Sequence, residues 1–206
     1  IGVTAAGSIT TGSSNIAIGK NAMDHAINTT TGSQNIMIGE LTDMTTVSGN
    51  NQTAIGYNVT CVGDNNFSFG NGTTDSNIAF GATSITAPSD IRLKEDIEDE
   101  VVGLDFIKDL RPVTFRWKKG KDVPSEMKAH VPDSEERVMN GKYNHGFIAQ
   151  EVKEVIDNHD LKDGFDMWTE DEVDGRQRIG EASLMPLMVK AVQELSAKVE
   201  ALENKE

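Results

Sequence analysis

Five short segments in the first half of the chain share one alternation of polar and apolar positions. Each opens with Asn or Gln, alternates over the next three residues and closes on Gly. These pentads are residues 15–19, 35–39, 52–56, 66–70 and 77–81. Alternation with a period of two that ends at a turn residue predicts short β strands. The closing glycines lie 20, 17, 14 and 11 residues apart, which predicts the coils or short hairpins of a solenoid-like stack.

A unit with only three strand positions cannot bury its own apolar face, so it needs neighbouring units, neighbouring chains or both. The alternative is a disordered linker, because Thr, Ser, Asn and Gly supply 46 of residues 1–88. Five copies that all close on Gly favour the stack.

The second half is predicted to be α+β. Residues 101–110 have the apolar spacing of a short helix, which ends before Pro112 because proline disfavours helix at the residue that precedes it. Residues 113–117 alternate like a strand, and the charged residues 118–142 indicate a long loop. The remaining predicted elements are a buried strand or turn at 145–149, a helix at 150–158 and a hairpin around Asp174-Gly175 within the acidic stretch 163–178.

The last segment, residues 181–206, has the clearest helical pattern. Its apolar residues step by 3, 4, 3, 4 and 3, and they are Met185, Met188, Val192, Leu195, Val199 and Leu202. This spacing is a heptad seam with charged residues around it, which favours a coiled coil. The alternative is an amphipathic helix packed within its own chain. The seam residues leave the number of strands in the coil open.

Composition divides the chain near residue 88. Residues 1–88 carry five acidic and one basic side chain, whereas residues 89–206 carry 28 acidic and 18 basic ones. We therefore predict an all-β repeat segment at 1–88, followed by an α+β domain at 89–206 that ends in the long helix.

Charge and composition exclude several classes of function. A net charge of −14 disfavours binding to nucleic acid or to an anionic membrane surface. Cys61 is the single cysteine, and the four histidines show no metal-ligand spacing, so neither a metal nor another cofactor is expected. No apolar run is long enough to cross a membrane. A first residue other than Met indicates a processed chain or a fragment.

The pentads resemble the Asn-x-Ala-Ile-Gly repeats of trimeric adhesin heads and phage fibre shafts. The resemblance covers most of residues 12–81 and implies a trimeric stalk of β-solenoid or β-helix type. The irregular spacing of the glycines departs from a uniform β-roll.

Four further motifs occur in order after the composition break. They are Ser89-Asp-Ile-Arg-Leu-Lys94, Leu110-Arg-Pro-Val-Thr-Phe115, Gly146-Phe-Ile-Ala-Gln-Glu-Val152 and Ser183-Leu-Met-Pro-Leu-Met-Val-Lys-Ala-Val-Gln-Glu-Leu195. Together they resemble the C-terminal intramolecular chaperone domain of phage tailspikes and tail fibres, the endosialidase-type self-cleaving peptidase. The loop 118–142 and the acidic stretch 163–174 match no motif of that family.

This resemblance implies a homotrimer whose C-terminal domain assembles the β-rich fibre in the host cytoplasm and then cuts itself off. The fibre would enter the virion without the released domain and contact a host receptor or glycan. In that family a Ser–Lys dyad does the cutting, and the matching residues are Ser89 and Lys94. From spacing alone, the alternative is that Ser89 or Asp90 caps a helix and Lys94 lies on its solvated face. His145 is either an auxiliary residue of the site or a structural one.

The bond that breaks is left open by the sequence. The resemblance points to the Ser89-Asp90 bond. Attack of the Ser89 hydroxyl on its own carbonyl would close a strained four-membered ring, whereas attack on the Pro88 carbonyl would close a five-membered one. Attack on another protomer avoids both rings.

Two other classes of function compete with a self-releasing chaperone. One is a structural trimeric adhesin with a β stalk and a coiled-coil tip that is never cut. The other is a hydrolase that uses a pocket formed by residues 118–178. The acidic side chains of that region are predicted to form a solvated loop rather than a paired-carboxylate site, and they are Asp163, Asp166, Glu170, Asp171, Glu172 and Asp174.

Overall fold

The computed structural model describes residues 1–161 and 165–205 of this chain. The chain is mixed α/β with small sheets and a C-terminal helix, and it separates into two units, residues 1–97 and 98–206. Asp163 of the acidic stretch lies outside the described residues. In the described ranges, no helix is long and apolar enough to cross a membrane.

The first unit contains one sheet of five strands in chain order. The strands are β1 (Ile16–Ile18), β2 (Ile36–Ile38), β3 (Gln52–Tyr57), β4 (Asn66–Asn71) and β5 (Thr74–Ala79). The strands predicted from the first four pentads are therefore confirmed, and these strands pair in parallel. The fifth pentad differs, because β4 and β5 form an antiparallel hairpin.

Parallel pairing aligns equivalent positions of successive pentads. The middle residues of the second, third and fourth pentads, Met37, Ala54 and Ser68, turn inward and are fully buried, whereas Ala17 of the first is half-buried. The flanking apolar residues point to the other side of the sheet, as the alternation of a strand requires. They form an apolar face that is half-buried or exposed in the single chain, and its members are Ile16, Ile18, Ile36, Ile38, Ile55, Phe67 and Phe69.

Side-chain amides at the first pentad position form a ladder of hydrogen bonds. This ladder joins successive repeats, each of which we call a layer and which contains one pentad and the loop that follows it. The Asn35 amide Nδ2 donates to Asn15 Oδ1 at 3.1 Å and to the Gly49 carbonyl at 2.9 Å. Its Oδ1 accepts from the Gln52 backbone N–H at 2.9 Å. Asn35 is fully buried, so these bonds satisfy polar groups that water does not reach.

The closing glycines of the first four pentads stack in a column where no side chain fits. Gly39 has a φ of +128°, and a Cβ there would lie 1.6 Å from the Gly56 carbonyl oxygen. The column also includes Gly2, whose φ of +135° equals that of Gly19. The Gly19 N–H donates to the Ile1 carbonyl at 2.8 Å. Ile1 and Gly2 thus pair with the first pentad in the same way as the Ile-Gly ends of successive pentads pair with one another.

In its described residues, the second unit has three α helices and two small antiparallel sheets. In chain order they are α1 (Leu104–Asp109), β6 (Val113–Phe115), β7 (Asn144–Gly146), α2 (Ala149–Asn158), β8 (Trp168–Glu170), β9 (Gln177–Ile179) and α3 (Met185–Glu203). β6 pairs with β7 and β8 with β9, both antiparallel. The hairpin predicted around Asp174-Gly175 is confirmed, and Gly175 has the left-handed φ of +63° that its turn requires.

Three predicted elements need correction. The helix predicted at 101–110 begins only at Leu104. The segment predicted as a buried strand or turn at 145–149 is a strand that ends at Gly146, and His145 is exposed within it. The loop 118–142 holds a 3₁₀ turn at Gly120–Asp122.

Charged side chains of the second unit are paired rather than only solvated. Both ammonium groups of Lys119 and Lys121 contact the Glu135 carboxylate and lower the pKa of Glu135 from 4.5 to about 2. Asp171 accepts hydrogen bonds from Arg178 and Arg176, which hold the pKa of its carboxyl below the usual range. The prediction of a solvated acidic loop is therefore wrong at Asp171.

Phe106 is the fully buried centre of the second core. It packs with Val152 of α2, with Leu187 of α3 and with Met167. Its ring contacts the Phe165 ring edge to face, with the ring centroids 6.0 Å apart. The three helices of this unit thus share one apolar cluster.

Candidate functional site

A single tight turn follows Pro88. Asp90 caps a 3₁₀ turn over Ile91–Leu93, because its Oδ1 accepts the Arg92 backbone N–H at 2.9 Å. The Lys94 N–H then donates to the Ile91 carbonyl at 3.2 Å. Asp90 therefore caps one turn and not the helix that spacing alone suggested. The turn reverses the chain and returns Lys94 towards the residue before the cap.

The turn brings together the two residues predicted to form the dyad. Lys94 Nζ donates to Ser89 Oγ at 2.8 Å. A nucleophile and its base must lie within such hydrogen-bond reach for a proton to pass between them. In this arrangement the amine donates, whereas only a neutral amine could accept a proton from the hydroxyl.

An unpredicted ion pair supports the turn. Arg92 Nε donates to Asp90 Oδ1 at 2.9 Å, and Arg92 Nη2 donates to Asp90 Oδ2 at 2.5 Å. The guanidinium side chain, followed by the Arg92 backbone N–H, lowers the pKa of the Asp90 carboxyl. The spacing of an acidic cap two residues before an arginine is the signal that could have found this pair.

The turn is open to solvent in the single chain. Residues 80–101 are all exposed, and Ile91 and Leu93 are 73% and 72% exposed. A lysine becomes neutral near neutral pH where burial or nearby cations disfavour its charge. The contact between Ser89 and Lys94 is therefore formed within one chain and is open to solvent there.

His145, the predicted auxiliary residue, belongs to the second unit. It lies in β7 directly opposite Thr114 of β6, and its Nδ1 is 3.5 Å from Thr114 Oγ1. Ser89 and Lys94 belong to the first unit. Its auxiliary role stays a prediction.

The C-terminal helix α3 has two apolar faces with different environments. Leu187 and Ala191 are buried and face α1. The predicted heptad seam is left uncovered, with Val192, Leu195 and Leu202 exposed by 63%, 47% and 64%. Residues 195–205 are exposed throughout, so this end of the helix has no intrachain partner among the described residues. The long helix is confirmed, and its pairing into a coiled coil stays a prediction.

Glu194 of α3 forms a hydrogen bond to the first residue of α1. Its Oε2 accepts the Leu104 backbone N–H at 3.0 Å, so it supplies the cap that Gly103 lacks. A Cβ on Gly103 would lie 2.7 Å from Lys190 Cγ, so glycine lets the two helices approach. This contact fixes which side of α3 turns away from its own chain.

The remaining side chains with metal-binding or nucleophilic chemistry are His, Cys, Asp and Glu. In the described part of the chain, no group of three or more of these side chains is arranged to hold a metal ion. Burial raises the pKa of the Cys61 thiol to about 12, so this cysteine is a core residue and a poor nucleophile.

Comparison with known protein families finds a match in the second half of the chain. Residues 89–161 match the family model described as Chaperone of endosialidase. The match begins at Ser89 and extends beyond the end of α2, and it supports a chaperone domain in this part of the chain. No curated protein and no solved structure is significantly similar to the chain.

Proposed function

We propose that this chain is the C-terminal part of a homotrimeric phage tail fibre or tailspike. In this proposal residues 89–206 align three chains, promote folding of the β stalk at 1–88, and then release themselves by cleavage near Ser89. The hydrogen bond between Lys94 Nζ and Ser89 Oγ, at the first residue of the family match, carries the proposal. The family is one of phage tail proteins, which supports a place in the virion for the mature stalk.

Trimer formation would cover the two apolar surfaces that the single chain leaves open. One is the apolar face of the sheet in the first unit, and the other is the heptad seam of α3. Contiguous exposed apolar surfaces typically mark protein interfaces. Three copies of each surface around one axis would give the stalk the form of a trimeric β-solenoid and the tip the form of a coiled coil.

The need for a chaperone follows from the similarity of the pentads. Successive layers present nearly the same residues, so chains can pair out of register by one layer. Non-local strand pairing is also slow and prone to aggregation. A tip that trimerises first would set the alignment and raise the local concentration of the three chains. Its removal afterwards would leave the stalk kinetically trapped.

Cleavage would proceed by the serine nucleophile scheme. Neutral Lys94 takes the proton from Ser89 Oγ while Oγ attacks a carbonyl carbon, and the peptide C–N bond breaks as the leaving amine receives that proton. Water then attacks the resulting ester, which yields a carboxylate and restores the hydroxyl. The assembled trimer would supply the desolvation that the exposed turn lacks. The resemblance favours the Ser89-Asp90 bond, with attack on the Pro88 carbonyl or on another protomer as alternatives.

The mass of the expressed protein tests this function. We expect two fragments from wild type, with masses that identify the broken bond. Ser89→Ala and Lys94→Ala should leave an uncut trimer of full-length chains. Ser84→Ala is the matched control, because Ser84 is another exposed serine in the same segment, and it should be cut normally. Cleavage of Ser89→Ala at the same bond and rate would exclude the dyad.

Deletion of residues 89–206 tests the chaperone role separately. Direct expression of residues 1–88 should give aggregates, because the apolar face of the sheet stays uncovered while the chains are out of register. The same residues released from the whole protein should form a soluble trimer that resists heat. Equal yields of trimer by both routes would contradict the chaperone role.

An uncleaved trimeric adhesin is the second candidate. The exposure of Ser89 and Lys94 favours it, because the turn that holds them is open to solvent rather than enclosed. It predicts the same trimer with no fragment at any time after synthesis.

A further inference from the structure

Asp90 and Arg92 are joined by three hydrogen bonds, one more than the two of a bidentate ion pair. Asp90 Oδ1 accepts both the Arg92 backbone N–H and Arg92 Nε, each at 2.9 Å, while Oδ2 accepts Nη2. One carboxylate thus binds the backbone and the side chain of the same arginine. The Leu93 N–H closes the turn on the Asp90 carbonyl at 3.0 Å.

The contact between Ser89 and Lys94 depends on the turn between them. Ser89 and Lys94 are five residues apart, and an extended chain of that length would separate them by up to about 17 Å. Their 2.8 Å contact therefore depends on the reversal between them. Asp90 and Arg92 hold that reversal from inside the loop, and neither contacts the Ser89 hydroxyl in the single chain.

We propose that Asp90 and Arg92 are positioning residues that hold Ser89 and Lys94 within proton-transfer reach before the trimer closes around them. This inference rests on the proposed self-cleavage. Chain folding alone would then preorganise the dyad, and assembly would supply only the dry surroundings. Preorganisation of this kind lowers the entropic part of a reaction barrier.

The geometry also explains why an arginine suits this position. A guanidinium offers several donors in a planar fork that matches a carboxylate, whereas an ammonium offers a point charge. Arg92 can therefore bond both carboxylate oxygens while its backbone N–H completes the cap. Burial of the pair in the trimer would strengthen it, because screening by solvent falls.

The test measures cleavage and assembly independently in the full-length chain. Pulse-labelled protein is followed for the half-life of uncut chain, and native gels report the fraction of trimer. We expect Asp90→Ala and Arg92→Ala each to slow cleavage about tenfold while trimer forms as in Ser89→Ala. Glu95→Ala is the matched control, because it removes an exposed acid from the same segment, and it should be cut at the wild-type rate.

The double variant separates positioning from a general structural role. Because both residues act through one contact, Asp90→Ala with Arg92→Ala should be no slower than either single variant. Asp90→Asn keeps an acceptor for the cap and should be intermediate. Arg92→Lys keeps the charge but loses the fork, so it should also be slowed. Both conservative variants should trimerise fully.

Each possible result decides the matter. If the wild-type chain is cut, and Asp90→Ala and Arg92→Ala are cut at the same rate as wild type, the positioning role is overturned and the proposed function stands. Multiplied losses in the double variant, or failure of Asp90→Asn and Arg92→Lys to trimerise, would also overturn it. A wild-type chain that is never cut would remove the proposed function and this inference together.

Discussion

Asn35→Ala should destabilise the stalk unit far more than removal of an exposed asparagine. The Asn35 side chain makes three hydrogen bonds, to Asn15 Oδ1, the Gly49 carbonyl and the Gln52 backbone N–H. Alanine removes all three. The Gly49 carbonyl and the Gln52 N–H then lose a partner in a position that the fully buried Asn35 side chain shields from water.

The expected magnitude follows from these orphaned groups. A buried donor or acceptor left without a partner costs about 1–3 kcal/mol. Two such groups give a loss of about 2–6 kcal/mol per chain, before any water enters the space. This compares with about 5–15 kcal/mol for the whole stability of a typical domain. In a trimer the loss occurs three times.

Urea unfolding of the uncut protein measures this loss. Ser89→Ala keeps the chain in one piece and serves as the background. Asn28→Ala is the matched control, because Asn28 is exposed, and it should change the unfolding free energy by less than about 0.5 kcal/mol. If Asn35→Ala falls within that same range, the ladder is not what holds the layers together, and the reasoning from buried amides is refuted.

Three further variants probe other parts of the molecule in the same background. Gly39→Ala should cost more than about 3 kcal/mol or abolish folding, since its Cβ would lie 1.6 Å from a carbonyl oxygen of the next layer, whereas Gly63→Ala has open space and should be neutral in urea unfolding. Leu195→Asp should give monomers or aggregates in sedimentation, because a charge enters the seam, while Ala197→Asp, off the seam, should stay trimeric. The pKa of Glu135 is lowered to about 2, so its ion pair stabilises the fold fully above about pH 4.5 and is lost as pH falls towards 2. Glu135→Gln should flatten the pH dependence of thermal unfolding in that window, and an unchanged profile would contradict the pairing.

The strands of the stalk unit could be predicted because alternation is a local property of the chain. Residues 16–18, 36–38 and 66–69 alternate and end at glycine, and each is a strand. The antiparallel direction of β5 does not follow from its pentad, which has the same pattern as the others, and the sequence analysis left coils and short hairpins as alternatives. Pairing direction depends on the short connection at Gly72, which leaves no length for a parallel crossover.

The candidate site was predictable only in part. Ser89 and Lys94 were selected by the order of four motifs, because a serine and a lysine five residues apart are common. Their contact depends on a turn whose cap is Asp90, whereas spacing alone had indicated that Ser89 or Asp90 caps a helix. Arg92 was missed because its role appears only when the turn folds its side chain back on Asp90.

By itself, the sequence determined the repeat, the two compositions and the long helix with its heptad seam. These features depend on spacing along the chain, which local backbone geometry converts directly into strands and helical faces. Only the tertiary structure decided which apolar faces stay uncovered. Leu187 and Ala191 belong to the same helix as the seam, and packing on α1 buries them while Leu195 stays open. Burial depends on contacts between residues far apart in sequence, such as the hydrogen bond between Glu194 of α3 and Leu104 of α1. A local sequence pattern does not predict such contacts.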